Sequence, residues 1–274
     1  MAPAPAPVAA PLLVDGHVHL HPCFEPVAFL DAAAANFQAA AAQLGFHGDT
    51  PGCLLLTDQG SRDSLSVLRG IDRGGWRAEP ALDAQGLLLH SAGRLRLLAL
   101  PGRQISTWDG LEVLALLGDP EILSAPTLQD AVSAARSAGA VPVIPWGFGK
   151  WTLSRTRAVR DALSGQPGVV FLGDNGGRPS PGRLPPLLRE ARRVGVPVLP
   201  GSDPLPFPDH QDRAGSYGFV ADVDLPLDTP AAGLREYLLG LRVQPPVFGM
   251  RRPLARFVYD QVRMQLWKRR RGGS

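Results

Sequence analysis

Short apolar runs that end in Gly, Pro or Asp alternate along this chain with stretches of helical pattern. That alternation dictates a layered α/β fold with a largely parallel sheet. Runs of strand character cover 12–20, 53–58, 95–100, 113–117, 141–146, 169–173, 196–200 and 218–222. Helical stretches cover 29–44, with Asp31 near the start; 128–138, capped by Thr127 and stopped by Gly139; 155–163; and 184–194, opened by Pro185-Pro186. Residues 87–90 and 94–100 flank Ala92-Gly93 as a hairpin, so the sheet is not purely parallel. The stretch 60–80 reads as irregular. Seven or eight strands in 274 residues favour a closed or nearly closed barrel over an open sheet. In such a barrel, polar residues at the C-terminal ends of strands line the working face.

Composition removes several alternatives. A 45% hydrophobic and 19% charged chain has enough apolar surface to bury a core and is not disordered throughout. No apolar run reaches the roughly 18 residues of a membrane helix. Residues 1–10 lack the features of a signal peptide and read as a flexible Pro/Ala arm, followed by a barrel over 11–250 and a basic helix and tail over 251–274. Two cysteines, Cys23 and Cys53, make neither a disulfide framework nor a Cys-rich zinc module, and the expected location is cytoplasmic. Arginine supplies all but two of the 28 basic residues, the exceptions being Lys150 and Lys268.

The first strand ends Val14-Asp-Gly-His-Val-His-Leu20. Two residues apart on a strand, His17 and His19 point to one side and can share one metal ion. Barrels bind metals through imidazoles and carboxylates arriving from several strands, so the other strand ends decide what this pair does.

Those ends carry a resemblance. Asp15-Gly-His-Val-His19 resembles the first motif of the polymerase and histidinol phosphatase (PHP) superfamily of metal-dependent phosphoesterases. Leu55-Leu-Thr-Asp-Gln59 is similar to that family's Thr-Asp-His strand, and Leu100-Pro-Gly-Arg-Gln-Ile-Ser-Thr107 to its Pro-Gly-x-Glu-Ile-Ser segment. Val143-Ile-Pro-Trp-Gly147 stands in place of Ala-His-Pro, Val170-Phe-Leu-Gly-Asp-Asn175 resembles Gly-x-Glu-x-x-Asn, and Gly201-Ser-Asp-Pro-Leu205 resembles Gly-Ser-Asp-x-His. Six segments in family order span about residues 12 to 205. The resemblance implies a distorted seven-stranded (β/α) TIM-like barrel of PHP type with a β-hairpin insertion, and a metal-dependent hydrolase of phosphoesterase type.

Carried over by position, the resemblance keeps His17, His19 and Asp203 as metal ligands and offers Glu25 as a loosely aligned replacement for another. Four ligand positions are degenerate: Gln59, Gln104, Trp146 and Leu205. Amides are poor ligands for zinc-class ions and an indole is none. A multinuclear cluster is therefore not expected. Two imidazoles and a carboxylate suit one divalent zinc, manganese or iron ion, with Asp58 or Asp174 as general base. Against this stands an inactive barrel of the same type, with the three residues as remnants, that binds an anionic ligand or a protein partner. A mononuclear amidohydrolase is a third reading, weakened by the lack of a lysine or histidine on the middle strands.

Basic residues follow several strand ends: Arg62, Arg103, Lys150 and Arg178. With Gly-rich loops beside two of them, they predict a pocket for a small phosphate-bearing anion, against the plainer reading of solvated loop cations. His21 reads as the start of a loop or an auxiliary ligand, and His210 as a loop residue or a substitute for the histidine missing at Leu205. His47 and His90 read as surface residues. Trp76, Trp108, Trp146 and Trp151 suggest aromatic surface near the mouth, with core burial the other reading for Trp108. The basic amphipathic 254–271 packs on the barrel or meets an acidic partner, nucleic acid or an anionic lipid surface.

Overall fold

A computed structural model of the chain describes residues 8, 11–46, 50–83, 85–152, 154–164 and 170–271. His47 and nearly all of the N-terminal arm lie outside the described residues. Strand β1 (Leu12–Val18), helix α1 (Pro26–Gln43) and β2 (Gly52–Leu56) form the first β–α–β unit. A short α2 (Ser64–Arg69), β3 (Asp72–Arg73) and β4 (Trp76–Pro80) lead into the hairpin of β5 (Leu87–Ser91) and β6 (Arg94–Leu100). Then come β7 (Gly102–Thr107), β8 (Glu112–Leu116), β9 (Ser124–Ala125), α3 (Leu128–Ser137) and β10 (Val141–Pro145). They are followed by α4 (Ser154–Leu163), β11 (Phe171–Asn175), β12 (Pro179–Ser180), α5 (Pro186–Arg193) and β13 (Val198–Gly201). A 3-10 turn over Pro208–Arg213 leads to β14 (Tyr217–Ala221), α6 (Pro230–Gly240), β15 (Val247–Gly249), β16 (Arg252–Pro253) and α7 (Leu254–Arg271).

The strands form two principal sheets. One runs β15-β14-β1-β2-β6-β5-β4-β3, with β1, β2 and β6 parallel; the other runs β13-β11-β10-β8-β7-β9, with β10, β11 and β13 parallel. Their edges meet at a single bridge between Asp58 and Arg103, and at β13 beside β1, where the Asp203 N–H donates to the His17 carbonyl at 2.9 Å. Among the described residues the ladders do not close into one ring. The expected seven-stranded barrel is met at the coarser level of a mixed α/β fold with a hairpin extension.

Three apolar clusters hold the layers. Phe29, Phe37 and Leu54 pack α1 on the first sheet; Leu12, Val14, Leu114, Val143, Phe171 and Phe219 fill the space between the sheets; Ile144, Leu172 and Leu188 pack the second sheet against α3, α4 and α5. The stretch 60–80 is more ordered than its sequence suggested. Asp63 caps α2 by accepting from the Ser66 N–H at 2.8 Å, and Gly74 and Gly75, with φ of 60° and 79°, turn β3 into β4. Trp76 is thereby buried away from the site, its Nε1–H donating to Asp31 at 2.7 Å. No helix among the described residues is long and apolar enough to cross a membrane.

The two sheets approach closely beside the candidate ligands. A Cβ on Gly201 would lie 2.3 Å from the His17 backbone nitrogen and 2.4 Å from its Cβ. Neither can yield without moving β1. Gly201→Ala is expected to cost about 1–3 kcal/mol in urea unfolding and to weaken metal binding by displacing His17.

Candidate metal centre

A bulge in β1 aims the histidines. Leu12 and Val14 face the space between the sheets, whereas Leu13 faces α1. Between Asp15 and Val18 the first strand uses one residue more than its partner β2. The alternation flips there, so Val18 and Leu20 join the α1 layer while His17 and His19 turn inward. Asp15 locks the bulge by accepting from the N–H groups of Ser202 and Gly215 at 2.8 Å each, and of His17 at 3.3 Å.

At the other end of the site, Asp203 follows β13 with φ of 47°, a left-handed conformation that aspartate tolerates better than most residues. It brings its carboxylate within 3.5 Å of His17 Nε2 and 3.4 Å of His19 Nε2, while the two Nε2 atoms are 3.0 Å apart. The point equidistant from these three atoms lies about 2 Å from each, the bond length of a zinc-class ion to nitrogen and oxygen. The donor set fits one such ion.

Its supporting hydrogen bonds fit too. Thr57 Oγ1 donates to the Val18 carbonyl at 3.1 Å, and so accepts from His19 Nδ1, 3.3 Å away. That fixes the proton on Nδ1 and leaves the Nε2 lone pair for the metal. Asn175 donates to the other Asp203 oxygen. Burial lowers His17 to a pKa of about 4, against the opposing pull of Asp203, so it is neutral at pH 7. Burial would raise Asp203, but the flanking His17 and His19 outweigh it and hold the carboxylate below its usual range.

The three residues line a cavity of about 930 Å³ together with Asp58, Gln59, Gln104, Trp146 and Leu205. Of the positions expected at the mouth, Asp174 is not on its wall. Both Asp174 oxygens are taken, by Arg178 Nε at 2.6 Å, by Arg178 Nη2 at 2.8 Å and by the Tyr217 hydroxyl at 2.8 Å. Sealed in that pair, it faces no substrate. Asp58 does line the cavity; burial raises its pKa, and Ser64 donates to it through both N–H and hydroxyl.

Glu25 lies apart from the triad. It is the exposed cap of α1, accepting from the Ala28 N–H at 2.8 Å and pairing with Arg73 at 3.1 Å. His21 bonds to the Pro204 carbonyl at 2.8 Å, and His210 accepts from the Leu205 N–H through Nδ1 while its Nε2 meets Asp260 at 3.2 Å. Neither belongs to the ligand group. Trp108 is 78% exposed and off the cavity wall, and His90 faces Glu79 on the hairpin.

The four cations expected to receive an anion are mostly engaged. Arg178 is committed to Asp174, Arg103 to Asp119 at 2.6 Å, and Lys150 to Glu112 across the cavity wall. Arg62 lines the cavity with its Nε buried and unpartnered. Arg213, which the sequence reading passed over, does the same with its Nη2.

Burial of the imidazoles sets an acid limit on the metal-free protein. His17 and His21 both fall from 6.5 to about 4. Between those values the unfolded chain binds two protons that the folded chain does not, so stability drops as pH falls through the window. Asp15, raised by burial to about 6, acts oppositely: its contribution is full below its unfolded value of 3.8 and fades as pH rises through 6. Two imidazoles outweigh one carboxyl. At about 1.4 kcal/mol per pKa unit, unfolding at pH 4.5 is expected to need a few kcal/mol less than at pH 7. An unchanged urea midpoint would show that these histidines are not held neutral.

No family model matches the chain, and no curated protein matches it. Among solved structures it is similar to PsfC from Pseudomonas syringae, at 17% identity and a TM-score of 0.51, over 94% of this chain and 98% of that one. It also matches a two-domain protein from Bacteroides vulgatus containing a predicted PHP-like metal-dependent phosphoesterase, at 15% identity and a TM-score of 0.42, over 87% of this chain and 66% of that one. The likeness to PsfC concerns the fold, which runs along nearly the whole of both chains.

Proposed function

We propose that this chain is a divergent PHP-type hydrolase that holds one divalent ion between His17, His19 and Asp203 and cleaves a small anionic phosphoester. The observation that carries the reading is the triad, whose ligand atoms all lie within 4.8 Å of one another on the wall of a large cavity. Gln59, Gln104, Trp146 and Leu205 line the same cavity and supply no further strong ligand, which is why the proposal is one ion and not a cluster. The PHP-type barrel, with β1 and β13 as its meeting strands, belongs to the same proposal.

When bound, the ion supplies Lewis acidity to the scissile group. The chain's own residues do the rest. His17 and His19 present their Nε2 atoms, and Asp203 would partly balance the ion's charge. Asp58 is the proton carrier: it faces the cavity, burial moves its pKa toward the working range, and Ser64 fixes its orientation.

A second reading is favoured by the same four altered positions: a barrel that binds an anionic ligand or a protein partner without turning it over. Assays on p-nitrophenyl phosphate and bis(p-nitrophenyl) phosphate separate the two. Turnover that appears with zinc, manganese or iron and vanishes with chelator supports the hydrolase. A metal-loaded, folded protein that binds phosphate and turns over neither ester supports the inactive barrel.

A further inference from the structure

Among the described residues, two guanidinium nitrogens on the triad's cavity wall are buried without a hydrogen-bond partner, Arg62 Nε and Arg213 Nη2. Buried donors in folded proteins are satisfied by protein, water or ligand, so these two nitrogens offer free donors on the cavity wall.

Arg213 is the most exposed to this argument. It closes the 3-10 turn that follows Asp203, and Arg252 lies beside it on the same wall. Burial and the Arg252 charge both disfavour its own charge, with Asp212, Asp15 and Asp260 acting the other way. Two of those acids are already spoken for. Asp15 accepts three backbone N–H groups, and Asp260 accepts from Arg252 Nε at 2.9 Å and faces His210. Arg213 and Arg252 thus lie on one cavity wall, with Asp260 paired to Arg252 and Asp212 acting to offset the Arg213 charge. An oxyanion would relieve both the repulsion and the unpaired nitrogen, and guanidinium forks bind phosphate and carboxylate through paired hydrogen bonds.

We propose that Arg213, assisted by Arg62, holds a phosphate or carboxylate group other than the one at the triad, so that the ligand of this cavity is a small molecule with two anionic groups. The cavity's size agrees, since about 930 Å³ far exceeds what a single phosphate fills. That the second group is the one being cleaved rests on the hydrolase reading above; the oxyanion site itself does not.

Calorimetric titration of the metal-free full chain tests it, with inorganic phosphate in one arm and malonate in the other to tell phosphate from carboxylate recognition. Wild type is expected to bind at least one of them. Arg213→Gln should weaken that binding about tenfold or more, and Arg160→Gln, on a remote exposed helix pair with Glu190, should leave it unchanged. Removing a charge that faces Arg252 should also leave the ligand-free melting temperature equal or higher, whereas a merely structural arginine would lower it. If Arg213→Gln does not fold, Arg213→Lys keeps the charge without the fork and should still weaken binding. Absence of binding by wild type, or binding untouched by either change at Arg213, overturns the proposal. A chain that binds phosphate here but takes up no zinc, manganese or iron at the triad would instead overturn the hydrolase reading and leave this site standing.

Discussion

Arg178→Met is expected to cost the fold about 3–5 kcal/mol, because it strips the partner from a buried carboxylate. The Arg178 and Asp174 side chains are only 5% and 3% exposed, and the guanidinium meets both carboxylate oxygens. With the arginine gone, Asp174 keeps only the Tyr217 hydroxyl and its own chain neighbour, Asn175 N–H. It must then stay charged in an apolar surrounding or take up a proton. Removing both charges, as Asp174→Leu with Arg178→Met, should recover most of the loss, since neither charge is then stranded. Urea unfolding of the two variants decides the point. Equal losses in the single and double variants would show that Arg178 acts by packing and not by its charge.

His19→Ala is expected to reduce metal affinity by more than 100-fold and to remove any metal-dependent turnover. It takes away one of the three ligands that cluster there. Thr57→Val provides the graded control. It keeps all three ligands but deletes the acceptor that holds the His19 Nδ1 proton, so affinity should fall about 10–100-fold, the usual cost of losing such a support. A competition titration against a chromophoric chelator reads both. If Thr57→Val weakens binding as much as His19→Ala, the imidazole orientation is set elsewhere.

Much of this was legible in the residues. Apolar runs bounded by Gly and Pro located the main strands, Ala92-Gly93 marked the hairpin turn, and Thr127 marked the start of α3, where it forms a capping box with Asp130. The His-x-His pair and the distant Asp203 were readable because their neighbours form recognisable segments. What could not be read was direction. Strict alternation along β1 would turn His17 toward α1, and only the bulge after Asp15 turns it inward.

The charges were harder still, because a cation's function depends on which acid reaches it in space. Arg178 looked like an anion-binding cation, although its spacing of four from Asp174 was a usable sign of a local pair. Glu25 looked like a ligand because it follows the histidines, yet the adjacent Pro26 marks a helix start and makes it a cap. Arg213 carried no local signal at all. Arg252, Asp15 and Asp260, which set its surroundings, all lie far from it in sequence.

The most direct test of a single-ion triad is the zinc content of protein loaded with excess zinc, freed of unbound metal by gel filtration and analysed by element. One zinc per chain in wild type, and none in either His19→Ala or Asp203→Asn, is the predicted result; two or more per chain, or one zinc retained by His19→Ala, would contradict it.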